Sequence, residues 1–191
     1  MGTIARSIDS VLDSMKDSSS DTSRFPVLFS PEQIRSRVKE LGEAIGRDYA
    51  GKNPLFVCVL RGSVYFFSDL TRAVPYPIEL DFIQAKSYEG TESTGIVKLT
   101  KGLDSELQGR HVILVEDIVD TGRTLQVLIA HVQSKKPSSL EVASLLFKEG
   151  GEACGYPVKY VGWKIGKEFV IGYGLDYDGS YRNLPGVYLF Q

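Results

Sequence analysis

The stretch VILVEDIVDTGRT, residues 112–124, carries the groups best suited to chemistry: Glu116 beside Asp117, a third carboxylate at Asp120, and a Thr-Gly-Arg-Thr turn leading into a helix. In an open parallel sheet, ligands sit at the carboxyl ends of strands. A turn rich in glycine and hydroxyls that opens a helix offers converging N–H groups to a phosphate. Glu116 and Asp117, at the strand end, can accept hydrogen bonds from sugar hydroxyls and help to neutralise a metal shell. The pattern points to a ribose phosphate site, with carboxylates for the diol and backbone amides and Thr hydroxyls for the phosphate. A solvated strand exit is the plainer reading of the three acids. No GxxxxGK[ST] stretch occurs and no GxGxxG follows a strand, which counts against kinase and dinucleotide sites. The chain has 2 histidines and 2 well-separated cysteines, too few for a His-rich zinc site, a CxxC knuckle or a histidine-centred triad.

These groups need a scaffold to hold them. Ser30, Pro31 and Gln33 make a helix-start signal of cap, proline at the first position and capping-box glutamine. Ile34, Val38, Leu41 and Ile45 then recur at helical spacing, and Gly51 ends the pattern. From Pro54 onward short apolar runs predict strands in PLFVCVL, IELDFI, HVILVE, LEVASLLF and VKYVGW. LFVCVL and HVILVE are continuously apolar, as strands covered on both faces are, and Cys58 within the first reads as a small buried hydrophobe. Residues 125–136 predict a helix between HVILVE and LEVASLLF. That strand, crossover, strand unit favours an α/β fold with a mainly parallel central sheet flanked by helices. The polar segment KSYEGTESTG, residues 86–95, predicts a long surface loop of the kind that forms lids.

Length and charge narrow the class. The 191 residues suit one globular domain with one sizeable core. With 22 Lys+Arg against 24 Asp+Glu, the net charge of −2 argues against a protein built to grip a nucleic-acid backbone or an anionic membrane, both of which need a basic excess. No run approaches the roughly 18 apolar residues of a membrane span, and the chain is expected to be cytoplasmic. Residues 1–24 are polar and read as a flexible leader, with the domain occupying 25–191.

Residues 112–124 resemble the phosphoribosyl pyrophosphate (PRPP) motif of the type I phosphoribosyltransferases. LRGS at residues 60–63, KSY at 86–88, LLFK at 145–148 and KEFVIGYGLDYDGSYRNLP at 167–185 are similar to segments of the hypoxanthine-guanine members, in order and at compatible spacing. The resemblance implies a core with a small hood subdomain formed largely by the C-terminal segment. It also implies displacement of pyrophosphate from C1 of PRPP by hypoxanthine or guanine, giving IMP or GMP, with Mg2+ required and a homodimer or homotetramer as the assembly. Related transferases preferring xanthine or a pyrimidine, and binding modules built on the PRPP fold, are the alternatives.

The resemblance also implies roles for individual residues. Asp120 becomes the general base that takes a proton from the purine imidazole. Glu116 and Asp117 hold the ribose hydroxyls, and Glu116, Asp117, Ile118, Val119, Asp120, Thr121, Gly122, Arg123 and Thr124 frame the ribose phosphate. Arg61, Gly62 and Arg182 meet pyrophosphate, with a cis peptide commonly found at the first of these. Lys148 donates to the purine O6, Phe169 stacks on the ring, and Val170 and Asp176 face its edge. Metal binding falls to Glu116, Asp117 and Asp176, and the lid to Ser87 and Tyr88. An Arg-Gly-Ser at residues 61–63 stands where some members carry Lys-Gly-Gly, which leaves the role of the second glycine open. By residue type alone, Asp120 also suits a helix cap, Lys148 a strand end, Phe169 the core, Arg182 a surface ion pair and Gly62 a simple turn.

Overall fold

The helix-start signal works as its chemistry requires. Ser30 Oγ accepts from the Gln33 N–H at 3.3 Å, and Gln33 Oε1 accepts from the Ser30 N–H at 2.8 Å. The helix so opened, α1, runs Pro31–Asp48 and buries Ile34, Val38, Leu41 and Ile45 on one face. The computed structural model describes residues 24–88 and 96–190, with backbone alone at 86–88 and 96. Most of the expected leader and the tip of the expected lid, 89–95, therefore lie outside the described residues.

Strand β1 (Val27–Phe29) precedes α1. After it come β2 (Leu55–Leu60), α2 (Val64–Ala73), β3 (Glu79–Tyr88), β4 (Ile96–Lys101), β5 (His111–Val119), α3 (Arg123–Ser134), β6 (Ser139–Lys148), a 3-10 turn (Gly151–Cys154), β7 (Tyr160–Ile165), β8 (Val170–Ile171) and β9 (Val187–Leu189). The main sheet has the order β4-β3-β2-β5-β6-β7, and β1, β9 and β8 form a small antiparallel sheet. In the main sheet only β4 runs antiparallel to its neighbour.

The continuously apolar strands are covered on both faces. Phe56, Cys58, Ile113, Val115 and Leu145 pack under α1 and α2, whereas Leu55, Val57, Val112, Leu114 and Val142 pack against Leu125, Leu128, Ile129 and Val132 of α3. Burial pushes the Cys58 thiol up to about 12, so this cysteine is a core residue and no nucleophile.

The expected loop over residues 86–95 needs correction at residues 86–88. β3 continues to Tyr88, and its last residues pair with β4, Lys86 opposite Lys98, Ser87 opposite Val97 and Tyr88 opposite Ile96. Residues 86–88 of that stretch thus belong to a ribbon near the sheet edge, where strands need no apolar run. The predicted strand VKYVGW shifts to Tyr160–Ile165, and the predicted helix at 125–136 begins two residues earlier, at Arg123.

Candidate active site

Because β2, β5 and β6 lie side by side and parallel, their carboxyl ends open at one edge of the sheet. There β5 delivers the acids, β6 ends at Lys148 and β2 leads into residues 61–63. A pocket of ≈ 90 Å³ is lined by Glu116, Ile118, Val119, Asp120, Thr121, Gly122, Thr124 and Leu125. Gly122 is the residue that makes this turn possible. Its φ is +72°, and a Cβ there would meet the Cys154 backbone N at 2.5 Å, so the turn rests directly on the 3-10 segment. Gly122 caps α3 without a side chain, so Asp120 is no helix cap. Arg123, the first residue of α3, is exposed.

Asp120 is exposed and reaches Lys148, whose Nζ lies 3.2 Å from Asp120 Oδ2 although the two are 28 residues apart in sequence. The lysine is 8 % exposed, so its stem is buried while its amine reaches the exposed Asp120 carboxylate. Glu116 is buried at 7 % exposure, and its Oε2 has no hydrogen-bond partner among the described residues. Burial first, and Asp117 second, raise its carboxyl well above the ordinary range. Asp117 is lifted to about 6, chiefly by burial and further by Asp176, while backbone N–H groups and Arg182 pull the other way. Two neighbouring carboxylates short of counter-charge suit hydroxyl donors and a cation.

Asp117 does not line the pocket but faces the loop after β2. A Cβ on Gly62 would lie 1.6 Å from Asp117 Oδ2, so only glycine allows this approach. The Leu60–Arg61 peptide is cis, as the resemblance implies, and Arg61 is exposed. On the far side of the loop, Arg182 donates to Gly174 O at 2.6 Å and pairs with Asp176 at 2.7 Å, while Asp176 Oδ2 accepts from the Gly179 N–H. Arg182 is thus a placed side chain and not a free surface cation. Among the described residues no three His, Cys, Asp or Glu gather as a ready-made metal cage.

Phe169 is 48 % exposed, so it is not a core residue. Its ring meets Tyr177 edge to face at 5.9 Å and Phe190 at 5.8 Å, and about half of the residue remains exposed. Val170 follows it, buried at the start of β8. Ser87 and Tyr88 end β3, and only their backbone is described. Sequence reasoning missed the 3-10 support beneath Gly122 and the contact of Gly174 with Gly62. The flanking GYG spacing was the one available signal for the latter.

The parallel sheet, the acidic strand end and the phosphate-type turn define a phosphoribosyltransferase, and residues 30–178 match the model of the phosphoribosyl transferase domain; the chain belongs to that family. More particularly, it is 47% identical over 162 residues to the hypoxanthine-guanine phosphoribosyltransferase of Streptococcus thermophilus, covering 84% of this chain and 90% of that one. It is 41% identical over 160 residues to the hypoxanthine-guanine-xanthine phosphoribosyltransferase of Tritrichomonas foetus, 83% of this chain and 87% of the other. The crystal structure of a Staphylococcus aureus hypoxanthine phosphoribosyltransferase superposes with a TM-score of 0.82 at 43% identity, covering 86% and 90% of the two chains.

Proposed function

We propose that this chain transfers the 5-phosphoribosyl group from PRPP to hypoxanthine or guanine, releasing pyrophosphate and giving IMP or GMP in purine salvage. The observation that carries the reading is the contact of Lys148 with Asp120, which lines the Gly122 pocket. Backbone amides and hydroxyls of residues 120–124 hold the 5′-phosphate, and Glu116 and Asp117 accept from the ribose hydroxyls. One imidazole nitrogen of the purine attacks C1 as the C1–O bond to pyrophosphate breaks, and Asp120 accepts the proton from the other nitrogen. Arg61, the Gly62 amide and Arg182 receive the departing charge. Phe169 stacks on the base, with Val170 and Asp176 at its edge. Lys148 has three donors and no acceptor, so it satisfies a 6-oxo group and leaves a 6-amino group facing donor to donor.

The orphaned Glu116 oxygen and the raised Asp117 carboxyl fit Mg2+, which Glu116, Asp117 and Asp176 would hold together with the substrate's own oxygens. Bound there, the ion neutralises pyrophosphate charge. Ser87 and Tyr88 form the base of the closing lid, and 25–191 acts as one catalytic unit of core and hood behind a leader at 1–24. The chain works in the cytoplasm as a homodimer or homotetramer. Supporting these, no described helix is long and apolar enough to cross a membrane, and Val64, Tyr65, Leu80 and Phe82 are exposed. A nucleic-acid partner is disfavoured by the net charge of −2.

Pyrophosphate release from PRPP should be measured with hypoxanthine, guanine, xanthine, adenine and uracil. Turnover with hypoxanthine and guanine and little with adenine is expected. Adenine turnover equal to hypoxanthine would remove Lys148 from its role, and a preference for xanthine would favour the related transferase.

A further inference from the structure

The turn between β8 and β9 contains a contact that the reading above leaves without a task. Gly172, Tyr173 and Gly174 have φ values of +92°, +48° and +104°, and for Tyr173 this is a conformation that L side chains seldom adopt. Tyr173 is buried, its N–H donates to Leu184 O at 2.8 Å, and its hydroxyl donates to Asp69 Oδ2 at 2.7 Å across 104 residues of chain. Asp69 lies on α2, the helix that leaves the Arg61 loop, and its other oxygen takes Arg72 at 2.7 Å. The next residue, Gly174, is pressed on that same loop, since a Cβ there would fall 1.8 Å from Gly62 O. Its carbonyl also holds Arg182.

Resting on the transferase reading, we propose that Tyr173 is a positioning residue for the phosphoribosyl donor. Its hydroxyl clamps the turn to α2, and the clamped turn keeps Gly174 against Gly62 and keeps Arg182 aimed at the pyrophosphate end. Tyr173 touches neither substrate. The clamp sits on the donor side of the site, whereas the Phe169 ring is propped separately by Tyr177 and Phe190. Its loss therefore acts on PRPP more than on the purine.

Steady-state kinetics of the full chain test this. Tyr173→Phe keeps the ring and removes the donor, and should raise KM for PRPP about tenfold with KM for hypoxanthine within about twofold. Asp69→Leu should do the same, and Asp69→Asn, which keeps an acceptor oxygen, should recover most of the loss. If Tyr173→Phe folds poorly, the Asn and Leu pair decides, because the Asp69 side chain is 40% exposed and both replacements are tolerated on a helix surface. An unchanged KM for PRPP in Tyr173→Phe or in Asp69→Leu would overturn the clamp, as would equal rises for donor and purine. A parent chain unable to release pyrophosphate from PRPP would instead overturn the transferase reading, and the clamp with it.

Discussion

At the scale of single residues, the roles proposed for Asp120 and Lys148 divide by charge. In the proposed reaction the exposed carboxylate takes the proton, while the buried amine, one of whose donors contacts Asp120 at 3.2 Å, keeps donors for the base. Asp120→Asn removes the proposed proton acceptor and leaves the Gly122 turn intact. It should lower kcat about a hundredfold or more while KM for PRPP stays within about threefold, and initial-rate kinetics would show the split. Asp117 offers a test through pH. Its carboxyl is raised from 3.8 to about 6, so the folded chain binds this proton more tightly than the unfolded chain. The stability from that proton is present in acid and is lost as pH rises from about 4 through 6. Asp117→Asn in magnesium-free, ligand-free protein should therefore gain stability on the order of 1–3 kcal/mol at pH 7.5, with the gain shrinking toward pH 4. Thermal melts across pH would check this, and a pH-independent difference would remove burial as the cause.

At the scale of elements, the informative failure is the β3–β4 ribbon. Strands under a helix announce themselves by apolar residues, and HVILVE and LEVASLLF did so clearly. Past Ile83, β3 reaches the sheet edge, and its pairing with β4 rests on backbone hydrogen bonds that any side chain permits. Asp81 anchors this edge. Burial by itself would raise its carboxyl, but the N–H groups of Phe82, Ser105 and Asp104, at 2.6, 2.8 and 3.0 Å, outweigh burial and hold it below the ordinary range. That contribution is present above the unfolded pKa of about 3.9 and is lost as pH falls through the lower folded value. Asp81→Ala leaves three amides unpaired and should cost about 2–3 kcal/mol at neutral pH. Urea unfolding at pH 7 and pH 3.5 should show the cost narrowing in acid.

At the scale of the whole molecule, the small sheet carries Phe169 and the approach to Arg182, so its seating on the main sheet sets the geometry of the site. One visible tie is Phe29 of β1 stacked on Trp163 of β7, rings 4.2 Å apart and 16° from parallel. Trp163 is the single tryptophan of the chain. Phe29→Ala should lower stability by about 1–3 kcal/mol and shift the Trp163 emission to the red as water reaches the indole. Unshifted emission would mean that another contact seats the small sheet.

The contiguous part of the site, residues 116–124, was readable in the chain because strand, turn and helix there are local and their residue types report directly on phosphate and hydroxyl chemistry. The α/β class was readable for the same reason, since two-sided burial writes itself into every residue of a strand. What only the tertiary structure decided were the meetings of distant segments. Lys148 reaches Asp120, Gly62 admits Asp117, and Tyr173 crosses to Asp69. They depend on how the elements pack in space, and the second also on the absence of a Cβ at Gly62. Local spacing carries no record of either, because sheet order is set by the packing of the whole core.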